Sequence, residues 1–349
     1  MDDAPTPFLD VFGSLLIAGE LSCGISIFVV NILYLKKFWQ METFHESFRQ
    51  TFIGVNFILS MTSIFHPLSD LSDDIVYVCR DGAPTCLRQD LVFTLQYVLY
   101  FIDHIAIVFL HTKFFILAAE RVFAFRRRAF YEYEKNNMAV KILGFSLSFV
   151  CLEILIKTGL YYEFDTDSPL KLRLEKGIGL WKSPAFMVWS YLEFFTSMGV
   201  GVVFFNNIPR ILRHYRQKSR SLSESFEIYQ TEKISKIMWP VLQSYILVGV
   251  ACTPTLFICI KQAFFNDGSA YWRKAYRVGL RADYFFVAWY TLFSLTYAFY
   301  KFGIVFGKQQ SQIVPVEMFD FKKVTDIHFN TLKQCWSDDG NGEDIKIFS

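Results

Sequence analysis

Three long segments of the chain, residues 50–69, 237–260 and 284–300, contain no charged residue. Each approaches the roughly 20 apolar residues that a helix needs to cross the hydrocarbon core of a bilayer. In soluble proteins about a quarter of all residues are charged, whereas here 19% are charged and 53% are hydrophobic. The sequence therefore predicts a polytopic membrane protein and excludes disordered, collagen-like and disulfide-scaffold classes.

Hydropathy along the chain predicts seven membrane-spanning segments, at about 11–35, 51–69, 91–119, 140–160, 185–208, 237–260 and 284–306. These segments are longer than barrel strands, and a backbone in lipid must satisfy its own hydrogen bonds, so we expect helices. The predicted fold is an all-α membrane protein, with a seven-helix transmembrane domain at 1–306 and a partly disordered cytoplasmic tail at 307–349.

Lysine and arginine are distributed unequally between the two sides of this predicted domain. One side, which includes the C-terminal tail, holds 22 of the 35 basic residues, and the other holds 11. Because basic loops face the cytoplasm, we expect an extracellular N-terminus and a cytoplasmic C-terminus. The net charge of +2, without a basic tail, gives no indication of nucleic-acid binding.

Two cysteines, Cys79 and Cys86, lie close together in the polar connection between the second and third predicted helices. With an extracellular N-terminus this connection is also extracellular, where thiols can be oxidised. We expect a disulfide that closes the short loop, and two free thiols are the alternative.

The third predicted helix contains Asp103, His104 and His111 within an apolar segment. A charged group at the centre of a membrane helix costs roughly 2.5–3.5 kcal/mol on insertion scales, so such residues are functional candidates. The seven-residue spacing of the two histidines places them on one helical face. They are expected either to contact a small molecule or to form interhelical hydrogen bonds that determine packing.

Three further charged residues interrupt the fourth and fifth predicted helices. Glu153 and Lys157 are four residues apart with the acid first, which favours an ion pair within the helix. Glu193 has no such local partner, so it is expected to be protonated, to pair with Lys157 or to face a cavity.

We expect a small-molecule pocket in the outer half of the bundle, among the third, fifth, sixth and seventh helices. The predicted ligand-binding residues are Asp103, His104, Glu193 and Trp289, with Tyr100 and Phe257 added for their similar depth.

The inner loops are basic and rich in serine. Attraction to anionic lipids accounts for part of this pattern, at about 1 kcal/mol per basic residue. A docking surface for a cytosolic partner is the alternative, and its predicted residues are Glu120, Arg121, Arg126, Arg213 and Arg216.

Enzymatic chemistry has little support in the sequence. There is no glycine-rich phosphate loop, Gly-x-Ser-x-Gly elbow or His-Glu-x-x-His motif, so we expect no enzyme and no cofactor. An embedded metal hydrolase acting on lipid remains one alternative, with His66, His104, His111 and Asp103 as ligands. A ligand-gated channel of inverted topology is another, and it requires an intracellular N-terminus.

Three segments together resemble the nematode serpentine chemoreceptors of class epsilon. They are residues 111–125, which include Glu120-Arg121, the Tyr-Glu-Lys-Asn sequence at 133–136, and residues 221–233. The resemblance covers the layout of all seven helices. It implies a G-protein-coupled receptor in the plasma membrane of sensory neurons or their cilia, which binds a small molecule and signals through a heterotrimeric G protein.

The Glu120-Arg121 pair also resembles the acidic residue and arginine that end the third helix of rhodopsin-like receptors. This analogy implies that Arg121 holds the resting state through local polar contacts, and that the sixth helix swings outward on activation. The chain departs from that pattern because it lacks an Asn-Pro-x-x-Tyr sequence in the seventh helix.

Overall fold

The computed structural model describes residues 7–41, 44–80, 89–127, 138–164, 184–216, 222–265 and 270–304. Within these ranges the chain forms seven helices and no strand, which confirms the all-α prediction for this part of the chain. The helices are α1 (Pro7–Trp39), α2 (Glu46–Arg80), α3 (Gln89–Arg126), α4 (Met138–Phe164), α5 (Pro184–Arg216), α6 (Leu222–Phe265) and α7 (Ala270–Lys301). All seven belong to one compact unit, Met1–Lys301, and Phe302–Ser349 form a second.

The six helices α1 to α6 are long and apolar enough to cross a membrane. Helix α7 is less apolar because five charged residues lie between Arg273 and Asp283, and the charge-free segment that follows contains four tyrosines. Large apolar side chains such as Ile25 and Phe145 are exposed on the outside of the bundle. This surface is typical of a multi-pass membrane protein in contact with lipid.

Helix α3 lies at the centre of the bundle and packs against α2, α4, α5 and α6. Around it, α1 packs on α2 and α7, α7 on α6, and α6 on α5. Of the six apolar helices α3 has the largest buried share and α4 the smallest. Polar side chains on α3 are therefore placed in the interior rather than against lipid.

Several helices extend well beyond their apolar segments. Helix α6 has 44 residues and is about 66 Å long at 1.5 Å per residue, roughly twice the thickness of a hydrocarbon core. Helix α7 begins 14 residues before the charge-free segment that starts at Tyr284. Helix α2 continues to Arg80, so Cys79 lies in its last turn rather than in a loop. Cys86 and the predicted tail at 307–349 lie outside the described residues.

Helices α1 and α2 approach each other closely at a glycine. A Cβ atom added to Gly24 would lie 2.4 Å from the backbone oxygen of Ser63, which no side chain tolerates without a shift. Two turns further along α1, Asn31 Nδ2 donates a hydrogen bond of 2.6 Å to Ser60 Oγ. Small residues and interhelical hydrogen bonds are the means by which helices associate in lipid.

A cluster of phenylalanine rings joins the end of α1 to α2 and α7. Phe38 is fully buried at its centre, and its ring centroid lies 5.0 Å from that of Phe52 and 6.1 Å from that of Phe299. Phe44 and Phe48 complete the group, at 6.2 and 6.4 Å from Phe38. These tilted and edge-on contacts make the cluster a well-packed part of the core.

Candidate functional site

The two histidines of α3 are buried, and each faces an acid on a neighbouring helix. His104 Nε2 lies 3.7 Å from Glu153 Oε1 on α4, and His111 Nδ1 lies 3.7 Å from Glu193 Oε2 on α5. Asp103 is also buried. The central helix is thus connected to both neighbours by titratable groups two turns apart.

The predicted ion pair between Glu153 and Lys157 is confirmed. The Lys157 side chain is fully buried, and its Nζ lies 5.9 Å from the centre of the Trp189 ring on α5. The indole nitrogen of Trp189 in turn donates a hydrogen bond of 2.7 Å to Glu193. Glu193 thus contacts the indole of Trp189 and the imidazole of His111, and it also interacts with Glu153.

An interior cavity of about 60 Å³ lies among α3, α5, α6 and α7. Most of its wall is apolar, and His111, Tyr191 and Asp283 contribute titratable side chains. The remaining lining residues are Ile107, Leu110, Met187, Ser190, Phe194, Val248, Cys252, Tyr284 and Val287. A concave, largely apolar site with a few convergent polar groups is the usual form of a small-molecule pocket.

Asp283 is the acidic residue of this cavity, and neutral hydroxyl groups hold it in place. The Tyr191 hydroxyl donates to Oδ2, and Thr255 Oγ1 donates to Oδ1 over 3.0 Å. The carboxylate is buried. These bonds join α5, α6 and α7 at one point, so a change at the carboxylate acts on three helices.

The predicted ligand-binding residues are only partly brought together. Asp103, His104 and Tyr100 are buried on α3, and Asp103 and His104 lie about one helical turn before Ile107, which lines the cavity. Trp289 is 51% exposed and Phe257 is 67% exposed, so both side chains face away from the interior. The structure places neither of these two at the cavity.

Asp283 and Tyr191 are not among the residues predicted from the sequence. In the sequence, Asp283 ends a basic segment that reads as a loop. In the structure α7 begins at Ala270, so Asp283 lies inside a helix. Tyr191 resembles an interfacial aromatic anchor in the sequence. The sequence feature that could have identified Asp283 is its position directly before the charge-free segment 284–300.

A second buried polar group lies between α1, α2 and α7. His66 Nδ1 is 2.9 Å from Glu20 Oε1, and Arg281 Nε donates to Asp70 Oδ2 over 3.0 Å. The His66 ring is stacked on Tyr284 with the centroids 3.3 Å apart. Because Tyr284 also lines the cavity, this network is in direct contact with the pocket wall.

Lys113 is buried two residues after His111 and faces aromatic rings. Its Nζ lies 3.8 Å from the ring centre of Tyr290 and 4.0 Å from that of Tyr245. Cation–π contacts of this kind stabilise a desolvated ammonium group by about 2 kcal/mol. They join α3, α6 and α7 on the inner side of the cavity.

The three histidines proposed as metal ligands face different acids: His66 lies next to Glu20, while His104 and His111 lie next to Glu153 and Glu193. Within the described ranges no group of three or more His, Cys, Asp or Glu residues is placed to hold a metal ion.

At the opposite end of the bundle, Glu120 and Arg121 form an ion pair, and both side chains are fully buried. The guanidinium carbon lies 4.9 Å from the centre of the Phe48 ring on α2. The polar side chains of Glu227, Gln230 and Thr231 in the first turns of α6 are also buried.

The first turns of α6 pack closely at this end of the bundle. The backbone nitrogen of His45 donates to Gln230 Oε1 over 3.3 Å, and Ile228 packs with Ile208 and Leu212 of α5. The remaining predicted coupling residues, Arg126, Arg213 and Arg216, are exposed at the ends of α3 and α5. The ends of α3 and α5 thus carry exposed basic side chains in addition to the buried ion pair.

A larger cavity, about 700 Å³, lies between α3 and α4 and is distinct from the polar site. Its walls include Phe115, Phe123, Phe145 and Phe149, and all four rings are among the exposed apolar side chains. A groove of this kind on a membrane protein is suited to lipid acyl chains, so we place the candidate site in the smaller, polar cavity.

Comparison with known proteins finds no family model that matches the chain and no curated protein that is significantly similar to it.

Proposed function

We propose that this protein is a seven-span chemosensory receptor that binds a small molecule and activates a heterotrimeric G protein. In this proposal α7 is the seventh span, the N-terminus is extracellular and the C-terminal tail is cytoplasmic, as the distribution of basic residues favours. The proposed location is the plasma membrane of sensory neurons or their cilia, which rests on the resemblance to the class epsilon chemoreceptors.

The observation that supports a receptor most directly is the cavity shared by α3, α5, α6 and α7. Its acid, Asp283, is hydrogen-bonded to α5 and α6. A molecule that binds there contacts all of these helices, so it can favour one arrangement of them over another. Helix α6 connects this cavity to the buried Glu120–Arg121 pair at the other end of the bundle.

The inner end of α6 is closed in the structure, which fits a resting receptor. His45, directly before α2, is hydrogen-bonded to Gln230 of α6, and Ile228 packs on α5. Outward movement of α6 would break these contacts, expose the Glu120–Arg121 pair and open a groove beside the basic ends of α3 and α5.

The test is a screen of small volatile and water-soluble compounds on cells that express the full chain, with a cytosolic second messenger as the readout. We expect Arg121→Ala to abolish G-protein activation by an active compound at normal surface expression. The control is Arg273→Ala, which removes an exposed arginine in the first turn of α7. It is expected to leave the response unchanged.

Removing Arg121 alone leaves the buried Glu120 charge uncompensated, which can prevent folding. The double variant Glu120→Gln with Arg121→Met removes both charges and should reach the cell surface. An unchanged response of this double variant to the compound would contradict the proposed coupling role. Compound-evoked currents without any G protein would instead favour the channel alternative.

A further inference from the structure

We infer that the cavity among α3, α5, α6 and α7 takes a small protonated amine, whose ammonium group binds Asp283. The inference rests on the proposed function, since it names the ligand class for the same pocket. It begins from the surroundings of Asp283, whose Oδ2 and Oδ1 accept hydrogen bonds from Tyr191 and Thr255. Among the described residues, no Lys, Arg or His side chain lies within ion-pair distance of this carboxylate.

Four other acids in the described part of the bundle each have a basic neighbour. The pairs are Glu20 with His66, Glu153 with Lys157, Asp70 with Arg281, and Glu193 with His111. A buried carboxylate without a cation is unfavourable, and a cationic ligand removes that cost when it binds. Asp283 therefore differs from these acids in just the way that a receptor for a cation requires.

The remaining hydrogen-bonding capacity of Asp283 suits an ammonium group. An ionised carboxylate has about four acceptor positions. The hydroxyl groups of Tyr191 and Thr255 occupy one on each oxygen, and the Cys252 thiol occupies a third. An ammonium group has three donors. The carboxylate can thus accept from the ligand without losing its present partners, while Ser190 and His111 in the same wall offer further acceptors.

The size and walls of the cavity restrict the rest of the ligand. A water molecule needs about 10–15 Å³ on this measure, so a cavity of about 60 Å³ accommodates about four non-hydrogen atoms. The surrounding side chains of Ile107, Leu110, Val248 and Val287 are apolar. A short alkyl chain packs against them, and a second charged group on the ligand would have no partner.

The test uses three probes of similar size: propylamine, 1-propanol and propionate, which at neutral pH are positive, neutral and negative. Each is added at millimolar concentration to the full chain purified in detergent, and the midpoint of thermal unfolding is measured. A ligand that binds only the folded state raises this midpoint. We expect propylamine to raise it by several degrees and the other two probes to raise it far less.

Asp283→Asn keeps the shape of the side chain and removes its charge, and we expect propylamine affinity to fall about tenfold or more. Asp10→Asn is the matched control, because Asp10 is an exposed acid paired with Lys274 and remote from the cavity; it should respond like the unmodified protein. Tyr191→Phe retains the Asp283 charge, so it should still prefer propylamine to propanol.

Equal stabilisation by propanol or propionate, no stabilisation by propylamine, or full propylamine binding by Asp283→Asn would each overturn the inference. If Asp283→Asn does not fold, the inference is tested by comparing the three probes on the unmodified protein and on Tyr191→Phe. Propylamine binding that evokes no G-protein activation in cells leaves the inference standing and contradicts the proposed function. If an uncharged compound activates the G protein equally strongly in the unmodified protein and in Asp283→Asn, the proposed function stands and the inference is contradicted.

Discussion

Replacing Lys157 with methionine is expected to destabilise the bundle by about 3 kcal/mol, because it leaves the Glu153 carboxylate in the interior without its cation. Both side chains of this pair are almost completely buried. Removing one partner of a buried pair costs about 3–5 kcal/mol, most of it the penalty of the remaining charge. The lower value is expected here because His104, 3.7 Å from Glu153, can bind a proton and replace part of the lost attraction.

Adding Glu153→Gln to Lys157→Met should recover most of the lost stability, since no buried charge then remains uncompensated. The control is Lys141→Met, which removes an exposed lysine from the same helix and should change stability by no more than about 0.5 kcal/mol. The measurement is the midpoint of thermal unfolding of the purified chains in detergent. A loss of 3 kcal/mol corresponds to a decrease of about 6 °C at roughly 2 °C per kcal/mol.

Unfolding of Lys157→Met at the temperature of the unmodified chain would refute this prediction, since the pair would then not be both buried and charged as described. The prediction also fails if the double variant is as unstable as Lys157→Met, because the loss would then come from packing of the long side chain rather than from the isolated acid. The double-mutant cycle separates these two outcomes.

Two further predictions concern packing. Gly24→Leu should separate α1 from α2 and reduce the yield of folded protein on size-exclusion chromatography, because its first side-chain atom would lie 2.4 Å from the backbone of Ser63. The control is Gly159→Leu, which should not change this yield, because no atom lies within 4 Å of the added Cβ. Phe38→Ala should cost about 3 kcal/mol of unfolding free energy, since it leaves a cavity in the phenylalanine cluster, whereas Phe145→Ala, 76% exposed, should change the unfolding midpoint little. A stable Gly24→Leu or an unaffected Phe38→Ala variant would contradict the packing described.

The helical class and the approximate positions of the helices could be predicted because lipid imposes a strong constraint on sequence. Each predicted segment overlaps one described helix. The helix ends could not be predicted in the same way. Residues 222–236 of α6 and 270–283 of α7 are polar enough to read as loops, and their helical structure comes from packing against neighbouring helices, which hydropathy does not measure.

The interior polar residues could be identified only where they stand out against an apolar background. Asp103 and His104 are conspicuous within α3, and both are buried. Trp289 is predicted as an aromatic pocket residue and Phe257 from its depth alone, and both face outward. A helix that is apolar all round has no hydrophobic periodicity to indicate which face is internal, so its rotation depends on contacts with other helices.

Because α6 is long, a small change in its direction near the cavity becomes a large displacement at its far end. Pro254 lies inside the continuous helix, next to Thr255, which donates to Asp283, and near Cys252, which lines the cavity. The arm from this proline to Leu222 contains 32 residues and is about 48 Å long. A tilt of about 5° at the proline would therefore move the far end by about 4 Å, nearly one helical turn. Small adjustments around Asp283 would be magnified along this arm into a displacement large enough to separate Gln230 from His45.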